Sequence, residues 1–388
     1  MNVPGPHSRL LGTALLGGGA RAAYQVGVLT WISERLPRAS LPLIAGVSAG
    51  AANAMGVASS RTLPEATAML REHWQKLNPE AIFDAFPGGQ SYSILGCLRE
   101  VLRRTASSQV MFPGMFDDRP IRRFVASCAN FDGLAANVSS ERLHAVALTA
   151  SSFNTGKSVT FFQGRSSLQN WTRDHGSGVA TVLTLDHIMA SGAIPFLFPP
   201  VRIGDDLLGD GNVRQQFPLS PLLRLGADRI LVVDPGPASQ SVQTRGAATG
   251  SVAETFGLLL DSMVVDRIET DVMRIRQIND GMDCERRSTG GEPHRRIDLL
   301  IIRSAADIGA MAARLGPPRS RTLRLFSRAA GGWDDRVAGL LSYLWVDPRF
   351  TSRLFDLGYA DARERGKEIE HFLSPSLRAE TPMAKAAG

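Results

Sequence analysis

Two stretches of the chain combine residue types at spacings that could do chemistry: a serine framed by glycines and, upstream of it, a run of three glycines. In Leu43-Ile44-Ala45-Gly46-Val47-Ser48-Ala49-Gly50-Ala51-Ala52-Asn53-Ala54, a short apolar run leads into Gly-x-Ser-x-Gly and then into small residues without proline. That order reads as a buried strand, a very tight turn and a helix, the pattern of a nucleophile elbow with Ser48 at its apex. Gly46 and Gly50 suit it because strand and helix approach too closely there for side chains. Ser48 would then stand at the carboxyl end of the strand, near unpaired N–H groups that favour developing negative charge. A serine that only caps its helix has the same local pattern, so the motif alone does not choose between the two.

The second stretch is Gly17-Gly18-Gly19-Ala20-Arg21-Ala22, between an apolar strand at 9–16 and a helix running to about Leu36. Glycines in that position leave a row of backbone N–H groups facing one spot, an anion site. The dinucleotide fingerprint fits Gly17 and Gly19 but fails at Ala22, and Leu43-Ile44-Ala45-Gly46 stands where the acidic end of a second strand is required. A P-loop fails because Gly-Lys-Ser/Thr is absent. An oxyanion hole needs only loop donors beside a nucleophile, and the next strand supplies Ser48.

A serine hydroxyl is a poor nucleophile until a base takes its proton. His294 lies in a polar break beside Pro293 and Arg295, and His371 lies in a surface-like helix among Lys367, Glu368 and Glu370. His187, on a helix facing an apolar wall, reads as a packed or supporting residue. A third chemistry-bearing turn, Gly209-Asp210-Gly211-Asn212, follows that wall of Phe and Pro at 195–200.

The elements that must hold these residues alternate. Strands are expected at 9–16, 43–47, 143–150, 157–163, 201–208 (a pair turning at Gly204-Asp205), 229–234 and 297–302. Helices are expected at 20–36, 49–59, 64–76, 120–129, 185–192, after Pro218 and Pro221, and at 252–278. The polar stretch 281–293 reads as a break. This alternation predicts an α/β fold with a largely parallel sheet covered on both faces. Residues 78–118, rich in Pro, Gly and Phe with a helical piece at 95–104, read as a cap over the site, and 235–250 as a linker. The helical, Arg-rich region from about 305 reads as an extension that docks on the domain or lies on a membrane, and 374–388 as a frayed tail.

With 388 residues, 44% apolar and 21% charged, the chain can bury a substantial core. The net charge of +6 suits an anionic membrane surface or acidic substrate. No zinc spacing, Arg-Gly repeat or basic helix with interleaved aromatics supports nucleic-acid binding. Cys97, Cys128 and Cys284 are odd in number and far apart, which argues against a disulfide framework or a metal cluster and for a reducing cytoplasm. Three glycines and Arg21 interrupt the apolar stretch at 10–28, and no stretch reaches the length of a membrane span, so membrane contact is expected to be peripheral.

Taken together, these motifs closely resemble those of the patatin-like phospholipase family. Gly17-Gly18-Gly19-Ala20-Arg21-Ala22 resembles its oxyanion loop, Gly46-Val47-Ser48-Ala49-Gly50 its elbow, and Asp210-Gly211-Asn212 its Asp-Gly-Gly/Ala turn. The stretch from Ala190-Ser191-Gly192 to Pro199-Pro200-Val201 also looks like the pattern before that turn. The resemblance covers about residues 9–235, with similar character to about 303. It implies a three-layer α/β/α fold over 9–303, with a helical extension at 304–373. It implies a Ser-Asp dyad without histidine, metal or cofactor, with Ser48 as nucleophile and Asp210 as the base for serine and then water. The amides around Gly17, Gly18 and Gly19, with Ala20 or Arg21, would hold the oxyanion, and Gly46, Gly50, Gly211 and Asn212 would support the motifs. The substrate expected is a lipid or phospholipid ester, with the 195–200 wall lining the acyl groove. A soluble esterase or thioesterase with the same dyad, or a non-catalytic lipid- or partner-binding protein, are the alternatives. Ala22 and Asn212 depart from the family pattern, in a glycine and in a small residue respectively.

Overall fold

The computed structural model describes residues 9–83, 114, 116–237, 267–289, 296–329 and 332–378. The strands are β1 Leu11–Leu15, β2 Leu43–Val47, β3 Ala145–Ser152, β4 Ser158–Gly164, β5 Trp171–Arg173, β6 Gly176–Ala180, β7 Val201–Ile203, β8 Asp206–Asp210, β9 Arg229–Pro237 and β10 Asp298–Ser304. The helices before β9 are α1 Ala23–Arg35, α2 Ala49–Ser59, α3 Leu63–Gln75, α4 Pro79–Phe83, α5 Arg119–Cys128, α6 Phe131–Ser139, α7 Leu185–Ser191 and α8 Ser220–Arg224. Those after it are α9 Arg267–Thr289, α10 Ile308–Arg314, α11 Arg321–Ala329, α12 Asp335–Leu341, α13 Pro348–Glu364 and α14 Gly366–Arg378.

Among the described residues, one sheet runs β10-β9-β1-β2-β3-β4-β6-β5, with β8 added along β3 and β7 along β8. The centre from β10 to β3 is parallel, and the pairs β3/β4, β3/β8, β5/β6 and β7/β8 are antiparallel. The sheet is therefore mixed, with a parallel centre from β10 to β3.

Alternation along the central strands explains the layering, since successive side chains leave opposite faces. Ile44, Val146, Leu148, Leu231 and Val233 enter one core with α1, α2 and α3. Leu43, Ala45, Ala145, Ala147, Ile230 and Val232 enter a second core closed by α8 and by Ile268, Val272 and Ile275 of α9. Both faces are apolar, as strands covered by helices on each side require.

The C-terminal helices belong to the first core. α13 crosses α1 where Gly27 meets the Phe355 carbonyl and Gly358 meets the Tyr24 carbonyl; a Cβ on either glycine would come within 2.2 or 2.1 Å of that oxygen. The buried Tyr24 hydroxyl donates to Asp361 Oδ2 at 2.9 Å across the same contact. Bare backbone at both positions brings the two helices to this separation.

Several sequence expectations shift. α9 continues through Thr289, so most of the break expected at 281–293 is helical; the helical part, 281–289, holds one glycine and no proline, and Gly290-Gly291 follow its end. Helix α6 and the short pair β5 and β6 were not anticipated. Of the cap expected at 78–118, Asn78, α4, Gly114 and residues 116–118 are described. The helical piece at 95–104, residues 238–266 and the tail beyond 378 lie outside the described residues. α14 carries residues 374–378 into the stretch expected to fray.

Candidate active site

β2 ends at Val47, and the chain turns at Ser48 directly into α2. Ser48 has φ 54° and ψ −130°, a backbone conformation that a non-glycine residue adopts only when its surroundings impose it. The surroundings are tight: a Cβ on Gly50 would stand 2.2 Å from the Leu15 carbonyl oxygen, and one on Gly46 would stand 2.6 Å from the Gly50 oxygen. The elbow amide is held by a serine from α7. Ser48 N–H donates to Ser191 Oγ at 3.0 Å, and Ser191 Oγ donates to the Thr149 carbonyl at 2.6 Å.

The sheet register brings Asp210 to this turn. β2 pairs with β3 only as far as Val47 opposite Thr149, while β4 occupies the other edge of β3 through Ser151. Beyond Val47 the vacated edge is taken by β8, running the opposite way, with Asp210 opposite Ala150. The carboxyl ends of β2 and β8 thus meet head on. Ser48 Oγ donates to Asp210 Oδ2 at 2.6 Å, and both residues are buried. The Ser48 side chain caps no N–H of α2, so the capping alternative for this serine does not describe its hydrogen bond.

Asp210 is fixed at each polar atom apart from the one facing Ser48. Asn212 N–H donates to its Oδ1 at 2.8 Å, its own N–H donates to the Ala193 carbonyl at 2.8 Å, and Ser151 Oγ donates to its carbonyl at 2.8 Å. Gly211 lies so close to β2 and β3 that a Cβ would come within 2.2 Å of the Thr149 oxygen. The Asn212 side chain packs against Gly17, where a Cβ would be 2.2 Å from Nδ2. The residue that departs from the small third position of the turn therefore takes its space from the first glycine of the loop.

The glycine loop faces the same place but divides its donors unevenly. Ala20 N–H donates to the Tyr343 carbonyl at 2.8 Å, and Arg21 N–H donates to the Gly18 carbonyl at 3.0 Å. Of the amides expected around the oxyanion, those of Ala20 and Arg21 are thus already engaged. Among the described residues, Gly18 and Gly19 N–H have no acceptor. Gly19 has φ 54°, open to glycine without steric cost. The Arg21 side chain turns away from the serine: its guanidinium donates to Ser342 Oγ at 2.7 Å, Tyr343 Oη at 3.0 Å and the Gly339 carbonyl at 2.7 Å.

An apolar cavity of about 100 Å³ opens beside Ser48, Gly19 and Ala20, walled by Ile82 and Phe83 of α4, Phe124 of α5, Phe198, and Leu344 and Val346 of the C-terminal region. The wall expected at 195–200 divides. Phe198 and Pro199 line the cavity, but Phe196 is 67% exposed with φ 68°. Phe196 sits in a turn at positive φ, so its side chain leaves outward while Phe198, two residues on, faces the cavity. A larger cavity, about 670 Å³, lies among Trp171, His175, Phe217, Asp271 and Arg274 and is lined by neither Ser48, Asp210 nor the glycine loop.

His187 serves its helix: its Nδ1 accepts the Thr184 N–H at 3.0 Å, its ring edge meets Phe161, and burial lowers its basicity. His371 is exposed on α14, and His294 lies outside the described residues. Sequence reasoning missed the supporting hydroxyls of Ser151 and Ser191 and the contribution of Tyr343, Leu344 and Val346. Ser191 stood in a stretch already singled out; the others carried no local signal.

Comparison with known proteins gives a family and several similar structures. The family model described as patatin-like phospholipase matches residues 13–223. No curated protein matches. Among solved structures, VipD from Legionella pneumophila is similar at 12% identity and a TM-score of 0.34, over 90% of this chain and 67% of that one. Human GIVD cytosolic phospholipase A2 in complex with methyl gamma-linolenyl fluorophosphonate is similar at 14% identity and a TM-score of 0.41, over 97% of this chain. The present chain spans 60% of that protein.

Proposed function

Since this chain belongs to the patatin-like phospholipase family, we propose that it is a lipid acyl hydrolase that cleaves carboxylic esters through an acyl-enzyme on Ser48. The observation that carries this reading is the 2.6 Å hydrogen bond from Ser48 Oγ to Asp210 Oδ2, with an apolar cavity opening beside Ser48.

In this reading, Ser48 Oγ attacks the ester carbonyl carbon while its proton passes to the Asp210 carboxylate. The carbonyl oxygen becomes an oxyanion facing the free Gly18 and Gly19 amides. Loss of one such donor costs about 2.7–4 kcal/mol of barrier. As the intermediate collapses, the alcohol oxygen leaves with the proton from Asp210. Water repeats the sequence: it gives a proton to Asp210, attacks the acyl carbon, and Ser48 recovers the proton as the acid departs.

The apolar cavity beside Ser48 would take the acyl chain, and the expected substrate is a glycerophospholipid. The exposed face of α11, with Arg321, Arg324, Leu325 and Arg328, is suited to an anionic lipid surface. Among the described residues, no helix is long and apolar enough to cross a membrane. A reducing compartment such as the cytoplasm suits Cys128, which is buried and free.

Phospholipid vesicles and short-chain esters, incubated separately with the protein and read by mass spectrometry of the products, test the proposal. Free fatty acid from vesicles, lost in Ser48→Ala, is the expected result. Turnover of short esters alone would favour a simple esterase, and turnover of neither would leave only a binding protein.

A further inference from the structure

The family match ends at residue 223, yet the chain places a segment from more than a hundred residues further on against the glycine loop. Tyr343 contributes its carbonyl to Ala20 N–H, and that oxygen stands where a side chain on Gly19 would have to go, 2.0 Å from a Cβ. Arg21, 7% exposed, fastens the segment: besides its three hydrogen bonds to Gly339, Ser342 and Tyr343, its guanidinium stacks 3.8 Å from the centre of the Tyr343 ring. Such a fork, satisfied on several sides and buried, fixes both partners in one geometry.

The residues that follow split between two surroundings. Trp345 is fully buried in the first core, edge-on to Trp333 at 5.4 Å and stacked on Phe350 at 5.0 Å. Its neighbours Leu344 and Val346 line the cavity beside Ser48. The tryptophan thereby pins the backbone that presents those two aliphatic side chains to the site.

We propose that the segment Ser342–Val346 is a working part of the active site. Arg21 is a positioning residue that, by holding this segment, sets the Gly18 and Gly19 amides relative to Ser48, and Leu344 with Val346 sets the acyl chain the cavity accepts. The inference rests on the Ser48 acyl-enzyme reading above. It assigns an element outside the family-matched region to oxyanion geometry and chain selection.

The test uses the full chain, titrated with an alkyl fluorophosphonate so that turnover is expressed per labelled serine. Arg21→Gln is expected to label to the wild-type end point while kcat per labelled site falls about tenfold to a hundredfold, as displaced catalytic groups do, and KM stays within about twofold. Leu344→Ala is expected to shift the kcat/KM ratio of long over short acyl esters upward by about tenfold, and Leu344→Trp to shift it downward. Unchanged kcat per labelled site in Arg21→Gln, or a chain-length ratio unmoved in both Leu344 variants, overturns the proposal. If Arg21→Gln yields no labelled protein, Tyr343→Phe, which removes only the phenol contact, takes its place and must lower kcat per site in the same direction. Wild-type protein that takes no label would instead contradict the Ser48 reading itself.

Discussion

Ser191 holds the elbow from outside it: its hydroxyl accepts the Ser48 N–H at 3.0 Å and donates to the Thr149 carbonyl at 2.6 Å. A helix after β6 is thereby tied both to the strained turn and to the central strand. In Ser191→Ala, a buried N–H loses its acceptor and a buried carbonyl loses a donor, at a cost of about 1–3 kcal/mol. The expected outcome is a lower melting temperature together with reduced kcat, read by calorimetry and steady-state kinetics. Unchanged values for both would show that the elbow is held elsewhere.

Gly50 admits no larger residue. The contacts at 2.2 Å to the Leu15 oxygen and 2.7 Å to the Leu16 oxygen are both to backbone, so Gly50→Ala must move the end of β1 and with it the glycine loop. A loss of at least about 3 kcal/mol is expected, in line with overpacking against an immovable neighbour. Urea unfolding of the variant beside the parent checks it.

The division of the Phe/Pro wall gives opposite expectations for two phenylalanines. Phe198, 6% exposed, lines the cavity, and Phe198→Ala should shift preference toward longer or bulkier acyl chains. Phe196, pointing out, should leave chain-length preference unaltered when changed to alanine. A panel of esters of graded length, measured as kcat/KM, separates the two; a shift at Phe196 and none at Phe198 would reverse the assignment.

Asp271 supplies a pH-dependent term in the second core. It accepts the Leu219 N–H at 2.7 Å, and burial pushes its carboxyl up to about 6 from an ordinary value of 3.8. A carboxyl raised in the folded state contributes stability below its unfolded value and loses it as pH rises through the folded one. Asp271→Asn keeps an acceptor for Leu219 and cannot ionise. It is expected to exceed the parent by about 1–3 kcal/mol above pH 7, with the gap closing below about pH 4. Urea melts across that range would contradict this if the two proteins ran parallel.

Much of the fold was legible in the sequence. β2, α2, α3 and α5 follow apolar periodicity and glycine or proline punctuation almost to the residue, while β9 runs three residues into the expected linker, to Pro237. Ser48 and Asp210 were marked by the glycines beside them, because close backbone approach leaves a compositional trace. What stayed hidden depends on contacts distant in sequence. Nothing in Ser151 or Ser191 distinguishes a supporting hydroxyl from a surface one, and nothing near Leu344 foretells that it reaches the cavity. The fate of the Ala20 amide was likewise invisible, since its acceptor on Tyr343 lies more than three hundred residues away. Phe196 was misread because a run of apolar residues says nothing about which way each one faces at a turn.

The central claim is that Ser48 attacks and Asp210 takes its proton. Incubation with an alkyl fluorophosphonate, followed by peptide mass spectrometry, tests it most directly. One adduct per chain on the peptide carrying Ser48 is expected, absent in Ser48→Ala and formed at least about a hundredfold more slowly in Asp210→Asn, the scale of a lost general base. Wild-type protein that stays unlabelled, or an Asp210→Asn variant that labels at the wild-type rate, would contradict it.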